Sequence, residues 1–182
     1  MSLSFLGPYH PQIVHTPIVM LIFSAFFAIV GRLFDREWLK KTSMLMLVIG
    51  FLGSFLAVQS GKPAHKVPER QQGVPERAID EHGDGGVRVM YLAGGALVVM
   101  AIASRLQGSA ANALGVLALL LQIGAAVLVG ITAQRGGELV YAHGANVKVD
   151  GKLVKGASAA KKPAADSSEA GGTEKGEGGD VK

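Results

Sequence analysis

Four stretches without a single Asp, Glu, Lys or Arg dictate what this chain can become: Met1–Gly31, Thr42–Gly61, Val89–Ser104 and Leu106–Gln134. Crossing the ~30 Å hydrocarbon core of a bilayer takes about 20 helical residues. The third run is short and borrows Val87 and a snorkelling Arg88. Backbone inside lipid must satisfy its own hydrogen bonds, so runs of this kind become helices. The sequence therefore predicts an all-α integral membrane protein, a four-helix up-and-down bundle with spans at about 12–33, 42–60, 87–105 and 112–133. One membrane domain is expected over 1–150. Residues 151–182 hold Ala, Lys, Gly, Ser and Glu without an aromatic residue, and are expected to form a disordered tail. No charged segment is long enough to bury its own core, which excludes a soluble catalytic domain.

Punctuation along the chain fits these spans. Pro11 suits the first turn of a helix beginning near His10, and Pro17 removes a backbone donor, so a kink is expected beside His15. Arg32 to Lys41 forms a short charged turn with Trp38 as an interfacial anchor. Gly53, Ala57 and Gly61 recur every four residues and permit close helix packing. The loop Lys62–Val87 repeats Val-Pro-Glu-Arg at 67–70 and 74–77. Each copy reads as a proline-started helical turn, stopped by Gly73 and Gly83; a solvated, disordered loop is the alternative. In the fourth span Gln122, Ala126, Gly130 and Gln134 are expected on one face, with Gln122 bonded to another helix.

Cysteine is absent, which excludes disulfides, thiolate metal sites, iron–sulfur clusters and covalently attached haem. The net charge of +4 is spread through loops and tail and does not indicate nucleic acid. No Lys or Arg precedes the first run, so it reads as a retained helix rather than a cleaved leader. There is no His-Glu-x-x-His, no Gly-x-Ser-x-Gly and no phosphate loop, so nothing marks an enzyme.

Span counting puts all five histidines on one membrane face. His10 and His15 open the first span, His65 and His82 lie in the long loop, and His143 follows the fourth span. Ionisable groups at such places are functional candidates. Neutral imidazole is an axial ligand of haem iron, and helices rich in small residues admit a flat macrocycle, so haem b is one reading. His15 and His82 are the candidate cofactor and metal ligands, with His65 and His143 as second choices and His10 as a helix cap. A non-haem metal site with Asp80, Glu81, Asp84 or Glu138 as further ligands is another reading, and a proton relay a third. For any single histidine, helix capping at the headgroup interface is the better explanation. His10 and His15 are five apart and do not share a helix face. The leading expectation is a redox-associated subunit with a membrane redox partner. The competing one is a structural or partner-binding module without cofactor, and a metal-dependent hydrolase comes third.

Some of these residues also form motifs. His10-Pro-x-x-Val-His15-x-Pro-Ile, a histidine just before the third span, and Gly136-Gly137-x-Leu-Val-Tyr141-x-His143-Gly144 resemble the bacterial membrane family called domain of unknown function 2231. The resemblance covers about His10 to Val147. It implies a four-helix inner-membrane module and no activity, and it carries over no catalytic residue. The doubled Val-Pro-Glu-Arg loop and the tail look like additions of this chain. Near the spans the histidine face carries Lys62, Lys66, Arg70, Arg77, Arg88, Arg135 and Lys148; the other face packs Arg32, Arg36, Lys40, Lys41 and Arg105 into short turns. The count of basic residues does not separate the two faces, and the short, densely basic turns alone lead to the expectation that the histidine face lies outside.

Overall fold

A computed structural model describes residues 4–156. A 3-10 turn, Ser4–Tyr9, leads into a single helical turn, α1 (His10–Ile13). The long helices follow: α2 (His15–Leu33), α3 (Glu37–His65), α4 (Glu76–Ala103) and α5 (Gly108–Tyr141). A two-residue-stranded hairpin, β1 (Lys148–Val149) and β2 (Lys152–Leu153), closes the described chain. Among the described residues four helices are long and apolar enough to cross a membrane, the first counted from Phe5. They pack α2 on α3, α3 on α4, α4 on α5 and α5 back on α2, the ring of an up-and-down bundle. Large apolar side chains such as Phe23, Phe26, Leu45, Leu52, Val98 and Leu120 face outward all round it. Such a surface fits hydrocarbon rather than water.

Only Val14 separates α1 from α2, and it keeps helical dihedrals (φ −64°, ψ −22°) and helical bonds to His10 and Ile18, so the chain runs through the expected kink site as a near-continuous helix. The α2–α3 turn closes with the amide of Arg36 donating to the carbonyl of Gly31 at 2.9 Å. Asp35 there takes a positive φ of 47°, as the residue following such a helix end usually does. Lys40 binds Asp35 at 2.8 Å and Glu37 at 2.7 Å, and its hydrogen bond holds the Asp35 carboxyl below its ordinary value. Trp38 is exposed at this end, where the anchor was expected.

Inside the ring the core is lean: Leu21, Leu47, Val89, Ala93, Ala96 and Val129. Small residues let the backbones approach. A Cβ at Gly50 would stand 2.6 Å from Leu21 Cδ2, and one at Gly53 would stand 3.0 Å from Pro17 Cδ. The glycine stripe of α3 is thus the seat of α1 and α2, by plain packing.

A polar knot crosses this core. Gln122 of α5, 2% exposed, places Oε1 3.1 Å from the hydroxyls of both Ser24 (α2) and Ser43 (α3). Each serine hydroxyl also lies within reach of the other's backbone carbonyl, at 3.0 and 2.8 Å. A hydroxyl has one proton, and here each meets two acceptors. The count closes when the carboxamide is turned by 180°, a change invisible to shape. Both hydroxyls then donate to backbone, and the two N–H of Gln122 serve the two Oγ. The expected partner for Gln122 is therefore present, but its face differs from the expected one. Val129, Thr132 and Leu139 are buried with it, while Gly130 and Gln134 point outward. Four-residue steps overshoot a helical turn by about 40° each, and three of them leave the interface.

The helices also outrun their apolar runs. The expected loop of 62–87 shrinks to 66–75, because α3 continues to His65 and α4 starts at Glu76. The first Val-Pro-Glu-Arg is a 3-10 turn, Pro68–Arg70, which ends at the extended Gln71 (φ −83°, ψ 119°) rather than at Gly73, whose φ of 85° bends the chain two residues later. The second opens α4 behind Pro75 and is not stopped at Gly83. Gly83 stays helical because a side chain from α3 fills the space beside it. Residues 151–156, expected to begin the tail, include β2 and a hydrogen bond from the Gly156 amide to the carbonyl of Gln72 at 2.7 Å. The rest of that tail, 157–182, lies outside the described residues.

Candidate functional site: three imidazoles seated on glycines

The helix extensions carry His65 and His82 out of the expected loop and onto rigid elements. His65 is the last residue of α3, and His82 lies in the second turn of α4. His10 is the first residue of α1. The His82 ring sits between the other two. Its centre is 6.3 Å from that of His10, edge to face, and 6.2 Å from that of His65, tilted by 49°. All three rings are half-buried.

Each ring rests where a neighbouring helix has no side chain. The Cε1 of His10 would lie 3.2 Å from a Cβ at Gly61. For His65 over Gly83 and His82 over Gly136 the corresponding distance is 2.8 Å. The α4–α5 seam is interlocked in the other sense as well, since a Cβ at Gly85 would meet Thr132 Oγ1 at 2.6 Å. His82 lodges over α5 and Thr132 over α4, so the two helices cannot slide. This register delivers the carbonyl of Thr132 to His82 Nδ1 at 3.0 Å.

The carbonyl partner fixes the tautomer of His82. A carbonyl only accepts, so neutral His82 carries its proton on Nδ1 and leaves Nε2 as a bare lone pair. His10 Nδ1 lies 2.9 Å from Ser60 Oγ, which also reaches the carbonyl of Ala57 at 3.1 Å. With the Ser60 proton on that carbonyl, the serine oxygen accepts from His10 Nδ1 and leaves His10 Nε2 bare. Packing positions the His65 ring, against His82 and over Gly83.

The structure brings His65 and His82 together and adds His10, whose ring reaches across to α3 rather than capping its helix. The sequence motif contained His10, but its partner Ser60 is fifty residues away and no local spacing announces it. His15 stands apart. It is exposed and donates Nδ1–H to the carbonyl of Pro11, 2.6 Å away in its own turn. His143 is half-buried beyond α5, with its amide on the carbonyl of Glu138. Among the described residues neither is stacked with another histidine. Of the carboxylates considered as further ligands, three are engaged elsewhere, Glu81 with Arg77 at 2.7 Å and Arg135 at 4.0 Å, Asp84 with Arg88 at 3.9 Å, and Glu138 with Gln134 at 3.1 Å, and the fourth, Asp80, is exposed. Among the described residues no three His, Asp or Glu side chains gather as a ready metal site.

No curated protein and no solved structure matches the chain. The family described as Predicted membrane protein (DUF2231) matches residues 7–149, which hold all four helices and every histidine discussed above. The chain belongs to the DUF2231 family of predicted membrane proteins and is a multi-pass membrane protein.

Proposed function

We propose that this membrane protein binds one transition-metal ion at His10, His65 and His82. The observation that carries the reading is a pair of contacts: Ser60 Oγ and the Thr132 carbonyl lie at Nδ1 of His10 and His82, and a proton on each Nδ1 leaves both Nε2 bare beside a third imidazole. Metal-bound histidines characteristically donate their other ring N–H to a protein oxygen in this way. Neutral imidazoles suit zinc, copper, iron and nickel, whereas calcium and magnesium prefer oxygen donors. Binding involves a turn of the His65 ring toward the other two. A redox-active ion there makes the chain an electron-transfer module working with a membrane redox partner; we place it in a bacterial inner membrane.

Haem iron is the second reading. It is favoured by His82 and by His15, whose Nδ1 atoms both donate to backbone carbonyls as axial imidazoles do. Metal analysis and an absorption spectrum of the purified protein separate the two. The ion reading expects one metal per chain, lost in His82→Ala and retained in His15→Ala. A reducible b-type spectrum lost in either variant would replace it with haem. Folded protein that takes up neither would leave a structural or partner-binding bundle.

A further inference from the structure

The segments that leave His65 and His143 are folded against one another beside the histidine end of the bundle. Gln71, in the α3–α4 connection, is 7% exposed. Its Nε2 donates to the carbonyls of Gly144 at 2.8 Å and Val154 at 2.7 Å, and its Oε1 accepts the amide of Asn146 at 3.0 Å. One side chain thus binds three backbone groups of a single segment, in the manner of a strand neighbour. The Gly156 amide on the carbonyl of Gln72 adds a fourth bond across the same seam. Beneath it lies a small apolar cluster separate from the bundle core: Ile79, Leu139 and Ala145, with Val74 and Ala78. The 3-10 turn Pro68–Arg70 packs on both α3 and α4, and Pro68 is buried.

We infer that this cap is a latch over the histidine centre, with the Gln71 carboxamide as its catch. Both arms are rooted at histidines, since one begins at Lys66 directly after His65 and the other at Gly144 directly after His143. Both also bend at positive-φ glycines, Gly73 at 85° and Gly144 at 67°. Three of the four hydrogen bonds between the arms run through one side chain, whereas the helices beneath are held by long packed seams. Local opening follows the weakest cooperative unit, so the cap opens before the bundle does. Opening frees the chain on the far side of His65, the ring that must turn for the cluster to close on an ion. The inference deepens the metal reading and rests on the histidine cluster being the working site.

The test uses full-length protein in detergent and two probes, diethyl pyrocarbonate and Co²⁺. Diethyl pyrocarbonate acylates bare imidazole nitrogen and reports access whether or not metal binds. Three hydrogen bonds at the usual net worth of one imply an open fraction larger by about tenfold to a thousandfold in Gln71→Ala. Carbethoxylation of His65 should rise accordingly, with exposed His15 unchanged as the internal control. The chain has no cysteine, so Q71C/N146C joined by a short bifunctional thiol reagent holds the latch shut. Its His65 should react more slowly than in wild type and recover when a cleavable linker is cut. Co²⁺ should bind faster to Gln71→Ala and more slowly to the linked protein. Equal His65 rates in all three proteins would overturn the latch, as would a parallel rise at His15, which signals general unfolding. Wild type that fails to bind Co²⁺ while His65 access still follows the latch would sink the metal reading alone.

Discussion

The glycine seats make a prediction whose two halves have opposite signs. Gly130 and Gly136 both lie inside α5, six residues apart. Replacing glycine by alanine in a helix interior gains about 1 kcal/mol of backbone propensity. At Gly130 nothing stands within 4 Å of the added Cβ, so Gly130→Ala should keep that gain. At Gly136 the new methyl would lie 2.8 Å from His82 Cε1 and 3.2 Å from Nδ1, where contacts under 3.4 Å force the neighbour to move. Overpacking of this kind costs about 1–3 kcal/mol. The ring cannot retreat freely, because Nδ1 is tied to Thr132 and its other side meets His10 and His65. The net effect of Gly136→Ala is therefore a loss of about 0–2 kcal/mol, and its distance from Gly130→Ala should be about 1–3 kcal/mol. Reversible unfolding of the two variants in mixed micelles measures that distance directly. If both gain equally, His82 does not rest on Gly136 and the three-ring cluster is wrongly built.

Further outcomes follow from other contacts. Gln122→Leu removes two interhelical hydrogen bonds, at about 0.6 kcal/mol each in a membrane, so it should lower stability by about 1 kcal/mol while Gln134→Leu does nothing measurable; equal losses would refute the knot. Asp35 should titrate below its ordinary value of 3.8 in wild type and return toward it in Lys40→Ala, read by carboxyl NMR. A depressed carboxylate contributes stability above its unfolded pKa and loses it as pH falls through the folded one, so the α2–α3 turn should loosen only in strong acid. Cysteines placed at Glu69 and Lys155 should label from one side of the membrane and one at Trp38 from the other; any other pattern breaks the four-span topology.

The bundle was legible because its signal is one-dimensional. Charge-free runs and hydrogen-bond closure in lipid require no knowledge of neighbours, and a lone Gln122 in such a run demands a partner by chemistry alone. The site was half legible. That the histidines share one face follows from counting spans. Which of them touch depends on register, and register is set by pairs such as Thr132 with Gly85 and His82 with Gly136, distant in sequence and unremarkable singly. Gly83 illustrates the loss. Beside acidic residues and after a proline it reads as a stop, yet its missing side chain is filled by His65 from another helix. The same blindness made His10 a cap, because its partner Ser60 lies near the far end of α3.

The length of α5 has a mechanical consequence. Thirty-four residues at about 1.5 Å each make a rod of roughly 51 Å, against roughly 30 Å of hydrocarbon. Its charge-free run ends at Gln134, so Arg135 to Tyr141 stands as a stiff post in the headgroup layer. Gly136, the floor beneath His82, is set at the foot of that post. A thicker bilayer is met by a more upright rod and a thinner one by a more tilted rod. Because the post is continuous with the buried rod, such leaning moves the imidazole floor with it, and the depth of the histidines below the water line becomes a property of the lipid as much as of the chain.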